Sequence, residues 1–594
     1  MSSNRARETI GAAVLVALGV GVRWTFCAAF PTEPQTDFRG LVIFGLRLRD
    51  EGLAVPGYHW VQFNSGLPLL LAGLFRVFPR HVAVVARVAT GVATGLVPLL
   101  PYVLWRAVLS WRTRVLAGLL LALWPGLVFF SGVVASENWV ILPSVALAGL
   151  AVRRLRDPDD DGHPITSGLL FAAAIAIRQE MAVVLIPPAL AAAGLPGRRV
   201  LRGARLLRLA AALAIPLVLL AAQRRAATGR FAVTTEHGGM TVLGALAPGS
   251  AAAGWVPPKL FIASIEPDLL RQPDLLVHSA GRLAIGEFSR RYRYHLFRSA
   301  AAAARLAVES DAQNLFWPLE APGVLDPAHA ARGAAFARGV RPWLRWELAL
   351  LSGFFLAALA HGLLRRDAAL LVVASTVVLR LIVQVAFSPI GRLAIPGIAL
   401  ALLAVALAVD DLDSATAGRR ARFLGVGLAT AVLLIVAEPR LVALAVAKDE
   451  APRSVRRFPM LVAGAGGAAF ADCEVESGRL NAISSDRAWV GPAPDSPDAP
   501  FRTSCRLPEG LPDGTLGLDL ESAARGLVVE ADGQARGGGF DLPDPGWRRL
   551  EIAEGSARPR SVVIRGPAAV GSSGFGFVLV RRGAAPLPRH RDLP

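Results

Sequence analysis

Long uncharged apolar runs dominate the first three quarters of the chain. Residues 115–136 carry no charge at all, and about 20 apolar residues in a helix suffice to cross a hydrocarbon core. Comparable runs at 10–30, 88–105, 138–152, 165–177, 181–195, 209–223, 348–364, 368–391, 393–409 and 423–437 bring the expected crossings to eleven. Several are short, so tilt or local bilayer thinning makes up the difference. The run 66–78 stands apart, with Arg76 near its end and Pro68 and Pro79 in its flanks; it reads as a re-entrant or interfacial helix that does not cross. From about Lys448 the pattern changes. Segments 515–520, 526–531, 548–552, 561–564 and 575–580 alternate or are β-branched, with Gly, Pro and Asp between them, the mark of short strands. The expected fold is a polytopic α-helical membrane module over residues 1–447 with a β-sandwich-like domain over 448–594. That second domain is either a cap over the membrane part or a sugar-binding module.

Composition supports this class. Of 594 residues 54% are hydrophobic and 18% charged, whereas a soluble domain is usually about 25% charged. The net charge of +18, from 63 basic and 45 acidic residues, does not lie on long basic faces, which excludes a nucleic-acid partner. Lysine occurs only at Lys259 and Lys448; so chain-wide a preference for arginine reflects coding bias rather than chemistry.

The arginines also set an orientation. Arg106, Arg112 and Arg114; Arg153, Arg154 and Arg156; Arg198, Arg199, Arg202, Arg205 and Arg208; Arg365 and Arg366; and Arg419, Arg420 and Arg422 fall in alternate loops, which the positive-inside rule makes cytoplasmic. Counting 66–78 as a span would put the first two clusters outside. The N-terminus is then cytoplasmic, and the C-terminal domain, the loops 31–87 and 224–346 and the turn at 136–138 face outward from a plasma or inner membrane. The first apolar run continues into further spans and is no cleavable signal. Three cysteines exclude a Cys-rich metal site, and Cys473 and Cys505 can pair only in an oxidising compartment.

Carboxylates beside apolar helices are costly and mark sites. Asp37 follows the first span, Glu137 follows the uncharged run, and Glu180 sits with Arg178 in a break between two short apolar halves. Each has a plainer reading as a loop acid or helix cap, but all three fall on the predicted outer face. Arg392, in the turn Gly391-Arg392-Leu393-Ala394-Ile395-Pro396, is a candidate to hold a phosphate bidentately or an interfacial arginine that snorkels. In the long outer loop, Arg290-Arg291-Tyr292-Arg293-Tyr294-His295 reads either as a helix lying on anionic lipid or as a guide for an anionic donor.

The order of these features resembles the GT-C superfamily of membrane glycosyltransferases, which includes protein O-mannosyltransferases, the bacterial lipid A aminoarabinose transferase and the oligosaccharyltransferase catalytic subunit. The resemblance covers roughly residues 10–410 and rests on order and spacing. It runs from Asp37 through the helix after Asn64-Ser65-Gly66-Leu67-Pro68, then Trp124-Pro125-Gly126 with Ser136-Glu137-Asn138, then the segment around Arg178, to the Arg392 turn. The family's acid pair in the first loop is here Asp37 with Glu33 four residues earlier. The Lys-Pro-Pro element of aminoarabinose transferases is replaced by Ser65-Gly66-Leu67-Pro68, and no Trp-Trp-Asp signature is present, which argues against those two substrates.

The resemblance implies transfer of a hexose or pentose from a polyprenyl-phosphate carrier to a hydroxyl of a protein, glycan or lipid, with inversion. In that scheme Asp37 is the general base, Arg392 and Arg178 hold the donor phosphate, and Glu137 positions substrate. Glu33, Glu180, Asn138 and His59 are further substrate-binding candidates. A divalent cation, if used, would sit on Asp37 and Glu137. No nucleotide-binding loop is visible. The rival reading is a lipid or glycan flippase, for which Arg23 and Arg380 are the only mid-span charges.

Overall fold

The computed structural model describes residues 2–53, 60, 63–157, 159–195, 202–233, 235, 238–321, 323–413, 415–450, 456–461, 470–477, 479–483, 488–491, 501–507, 516–521, 527–532, 534–540, 547–551, 561–566 and 575–581. The chain divides into two compact units: Met1–His237 with Leu296–Ala445, and Gly238–His295 with Val446–Pro594.

The first unit is helical. Among the described residues seven helices are long and apolar enough to cross a membrane: Ala6–Ala29, Val82–Leu104, Gly203–Thr228, Ala328–Arg365, Ala368–Phe387, Gly391–Asp413 and Ala417–Ala447. They leave Leu207, Leu219, Leu364 and Leu433 well exposed. A water-soluble protein rarely exposes so many large apolar side chains on its longest helices, whereas lipid tails cover them at little cost. Trp343 and Trp346 are exposed as well, just before the apolar stretch of their helix, where aromatic residues favour a membrane–water interface. The helix Ile395–Asp413 is buried almost all round. Leu400, Leu403, Ala404 and Leu407 pack with Val145, Ala148, Ala358 and Val373 in the largest apolar cluster of this unit.

Two of the remaining apolar runs form shorter pieces, because proline interrupts them. The 115–136 run is split into Trp111–Leu123 and Pro125–Phe130. Pro125 cannot donate to the carbonyl one turn back, and Arg23 takes up the freed acceptors. Its Nη2 donates to Leu121 O at 3.0 Å and its Nη1 to Ala122 O at 2.8 Å. The 181–195 run likewise breaks into Met181–Val184 and Ile186–Ala192 at Pro187 and Pro188. The 138–152 and 165–177 runs lie in Ser136–Arg156 and in the 14-residue helix Pro164–Ile177.

Gly66–Val77 has 12 residues, about 18 Å at 1.5 Å per residue, too little for a crossing. Its start presses on the end of the Pro164–Ile177 helix. A Cβ at Gly66 would come within 2.6 Å of the Ala176 backbone carbon, so only glycine permits that approach, next to the turn that carries Arg178.

The second unit joins a piece of the long loop to the C-terminal strands. The strands are β1 (Arg457–Leu461), β2 (Phe470–Ser477), β3 (Arg479–Ile483), β4 (Ala488–Gly491), β5 (Phe501–Arg506), β6 (Leu516–Glu521), β7 (Leu527–Ala531), β8 (Gln534–Phe540), β9 (Trp547–Glu551), β10 (Ser561–Gly566) and β11 (Phe575–Arg581). They form sheets in the orders β1-β2-β5-β10-β7-β8 and β3-β4-β11-β6-β9. A sheet with one apolar face needs a covering layer, and residues 238–295 supply it. Leu243, Phe261, Ile262 and Ala280 share one core with Phe458, Met460, Val529, Val562 and Ile564. The 224–346 loop is therefore divided, 238–295 belonging to this unit and 296–346 to the helical one.

The basic run at 290–295 is largely engaged within this unit. Arg290 Nη2 meets Glu287 Oε1 at 2.8 Å and Glu450 Oε2 at 2.9 Å, and Arg291 Nη2 donates to Lys448 O at 2.8 Å. Cys473 and Cys505 face each other across β2 and β5 and are disulfide-bonded, which leaves Cys27 as the free thiol. Denatured without reductant, the protein should react with one equivalent of maleimide, and after reduction with three. Mass spectrometry of the labelled chain checks this, and three labels without reductant would contradict the pairing.

Candidate functional site

Five of the residues singled out from the sequence meet in the helical unit. Asp37 occupies the first turn of the Thr36–Asp50 helix, where a carboxylate is favoured by the helix dipole. Thr36, just before it, has φ +48°, a left-handed conformation that is strained for a β-branched residue. Glu137 lies in the first turn of Ser136–Arg156 and is only 3% exposed. Arg178 and Glu180 flank the turn between Pro164–Ile177 and Met181–Val184. Arg392 sits on the short turn Gly391–Ala394.

That turn is held by its own backbone. Gly391 N–H donates to Gln313 Oε1 at 3.1 Å, Gln384 Nε2 donates to Ile390 O at 2.9 Å, and Arg380 donates to Leu393 O through Nη2 at 2.6 Å and Nε at 3.1 Å. A side chain at 391 would strike Ser310 O at 2.8 Å, so glycine is required there.

The charged groups form a closed circuit. Arg392 Nη2 meets Asp37 Oδ2 at 3.1 Å, and its Nε lies 3.7 Å from Glu137 Oε1. Glu137 Oε1 is 3.0 Å from Arg178 Nη1. Ser136 joins here, its Oγ accepting from Arg178 at 2.9 Å and donating to Glu137 Oε2 at 3.1 Å. Arg178 Nε is bonded to Glu180, whose Oε1 also takes Arg380 Nη1 at 3.0 Å. Arg380 then returns to the carbonyl of Leu393, next to Arg392. Three guanidiniums balance three carboxylates, so the cluster is neutral although most of it is buried.

Two aromatic rings complete the seat of Arg392. Phe38 lies 5.0 Å and Trp317 4.9 Å from its guanidinium carbon, within cation–π range. Trp317 belongs to a π-helical turn, Phe316–Glu320, a local widening that often marks functional positions. The same two rings border a small, shallow cleft that Glu33 and Gln35 also line.

Burial pushes the Glu137 carboxyl upward, but Arg178 and Arg392 outweigh it and hold the group below the usual carboxylate range. For Glu180 burial acts in the same direction, and Arg178 and Arg380 overcome it, bringing the pKa down to about 2. Nearby, Asp311 accepts from Trp124 Nε1 at 2.8 Å; burial dominates there and pushes it up to about 7.

The other sequence candidates lie apart from the circuit. Glu33 is exposed at the cleft. Asn138 pins the chain before its helix, its Nδ2 donating to Phe130 O at 2.9 Å and Val133 O at 2.8 Å. His59 is outside the described residues. Arg380, Ser136, Phe38 and Trp317 were not singled out as site residues by sequence reasoning. Only Arg380 left a usable signal, since an arginine inside an apolar span must find a partner.

Asp37 and Glu137, the pair that a divalent cation would use, are both engaged by Arg392 in this structure. Among the described residues no three His, Cys, Asp or Glu side chains converge.

The depressed Glu180 carboxyl makes a pH prediction. A carboxylate whose pKa falls from the ordinary 4.5 to about 2 on folding adds stability that is complete above about pH 4.5 and lost as pH falls toward 2, roughly 3 kcal/mol in all. Glu180→Gln should forfeit about that much at neutral pH and flatten the acid limb between these values. Unfolding of both proteins in detergent across this range checks it; an unchanged acid limb would refute it. No protein-family model and no curated protein matches this chain.

Proposed function

We propose that the chain transfers a sugar from a polyprenyl-phosphate carrier to an acceptor hydroxyl at the outer face of the membrane, as a GT-C-like glycosyltransferase. The observation that carries this reading is the meeting of Asp37 and Arg392, 355 positions apart in sequence, at 3.1 Å, with the guanidinium seated against Phe38 and Trp317. A carboxylate and a guanidinium are what the two ends of such a displacement require. The acceptor oxygen forms a bond to the anomeric carbon while the bond from that carbon to the phosphate oxygen breaks. Asp37 takes the acceptor's proton, and the electron pair leaves with the phosphate, whose growing charge Arg392 stabilises. Glu137 and Arg178 keep Arg392 in place. A single displacement inverts the anomeric centre.

In this reading the chain crosses the membrane eleven times, with its N-terminus in the cytoplasm. The β-rich region then lies outside, and the Cys473–Cys505 disulfide suits the oxidising conditions there. The acceptor is a protein, glycan or lipid hydroxyl. The flippase alternative calls for polar groups through the membrane depth. Against it, Arg23 and Arg380 are both engaged with backbone carbonyls, so neither is free to line a path.

Purified protein incubated with a panel of polyprenyl-phosphate sugars should release free polyprenyl phosphate. Asp37→Asn should slow release by about 10²- to 10⁴-fold and Arg392→Met by about 10²- to 10³-fold, with product of inverted configuration by NMR. Undiminished turnover in Asp37→Asn, or retained configuration, would overturn the assignment.

A further inference from the structure

Arg392 has more hydrogen-bonding capacity than the circuit uses. A guanidinium offers five N–H donors, yet only Nη2 makes a hydrogen bond, the one to Asp37. Nε and Nη1 are buried and have no hydrogen-bond partner among the described residues, although Nε is 3.7 Å from Glu137. Buried donors left unpaired are costly, and Nη1, which shares the end face of the fork with Nη2, points to an anionic ligand that takes both.

The two acids on Arg392 are held very differently. Glu137 has a side chain 4% exposed and is also bound to Arg178 and Ser136, so it stays with the circuit. Asp37 has a side chain 53% exposed, and its one ion pair among the described residues is of the weak, solvent-screened kind. The guanidinium is fixed between Phe38 and Trp317, and Phe38 itself is 3% exposed. The helix that carries Asp37 is therefore anchored one residue away, and the Asp37 side chain can turn off Arg392 without moving either element.

We propose that the Asp37–Arg392 ion pair is a latch that the donor's phosphate opens. A phosphate presents several oxygens in the geometry the guanidinium fork matches; it takes Nη1 and Nη2 together and displaces the single Asp37 oxygen from Nη2. Asp37 is released toward the acceptor only when the donor is seated. Without donor, its Oδ2 faces Arg392, so binding is ordered, donor before acceptor. The role of Asp37 as base rests on the transferase reading; the competition for Arg392 rests on the geometry alone.

Calorimetry on the full-length protein in nanodiscs tests the latch, with farnesyl monophosphate as probe and farnesol as its uncharged counterpart. Asp37→Asn should bind the phosphate roughly two- to five-fold more tightly and farnesol as the wild type does, while Arg392→Gln should lose the preference for phosphate over alcohol. Equal or weaker phosphate binding by Asp37→Asn, parallel tightening of farnesol, or a preference that survives Arg392→Gln would overturn it. If no sugar donor is turned over yet Asp37→Asn tightens the phosphate, the transferase reading falls and the latch stands. If transfer occurs without that tightening, the latch alone falls.

Discussion

A buried charge must be paired, and the helical unit is arranged around that constraint. Isolated ions in a low-dielectric interior cost several kcal/mol each even after relaxation. Glu137, Arg178, Glu180 and Arg380 are all largely buried, and none is tolerable without the next. Because the circuit closes on the carbonyl of Leu393, the side chain and the backbone of the Arg392 turn are set by the same interactions. Pairing of this kind is weak evidence for net stability; its consequence here is position.

Backbone groups obey the same rule. Pro125 ends a helix inside an apolar run, and the carbonyls it frees would be orphaned if Arg23, 2% exposed, did not donate to them. Arg380 does for the 388–394 turn what Arg23 does for the proline break. The mid-span arginines are thus structural donors to irregular backbone, and irregular backbone near an apolar core is where a site is built. Gly66 and Gly391 serve the same end by letting one segment approach another's backbone without a side chain between.

Much of the helical architecture was legible because hydrophobic length is a one-dimensional property. The runs at 10–30, 209–223 and 368–391 correspond to long apolar helices, and the 66–78 run was recognised as too short to cross. The breaks at Pro125 and within 181–195 were not anticipated, since an apolar run with a proline in it looks the same whether the helix kinks or stops. Within the site, Asp37, Glu137, Arg178, Glu180 and Arg392 were legible as charges out of place. Phe38 and Trp317 were not, because an aromatic residue in an apolar chain carries no mark of what its face meets. Asn138, equally conspicuous in sequence, turned out to hold local backbone.

By itself the sequence determined the membrane class, the strand-forming region after residue 448 and the candidate charges, all of which follow from local composition and periodicity. The tertiary structure decided which charges pair. The contact between Asp37 and Arg392 spans 355 positions and that between Glu180 and Arg380 spans 200, and no local pattern encodes a partner at such distance. It also decided that residues 238–295 cover a sheet formed by the last part of the chain. The physical reason is the same in both cases: burial and charge pairing are satisfied by whatever the fold brings together, and only the packed helices and strands specify what that is.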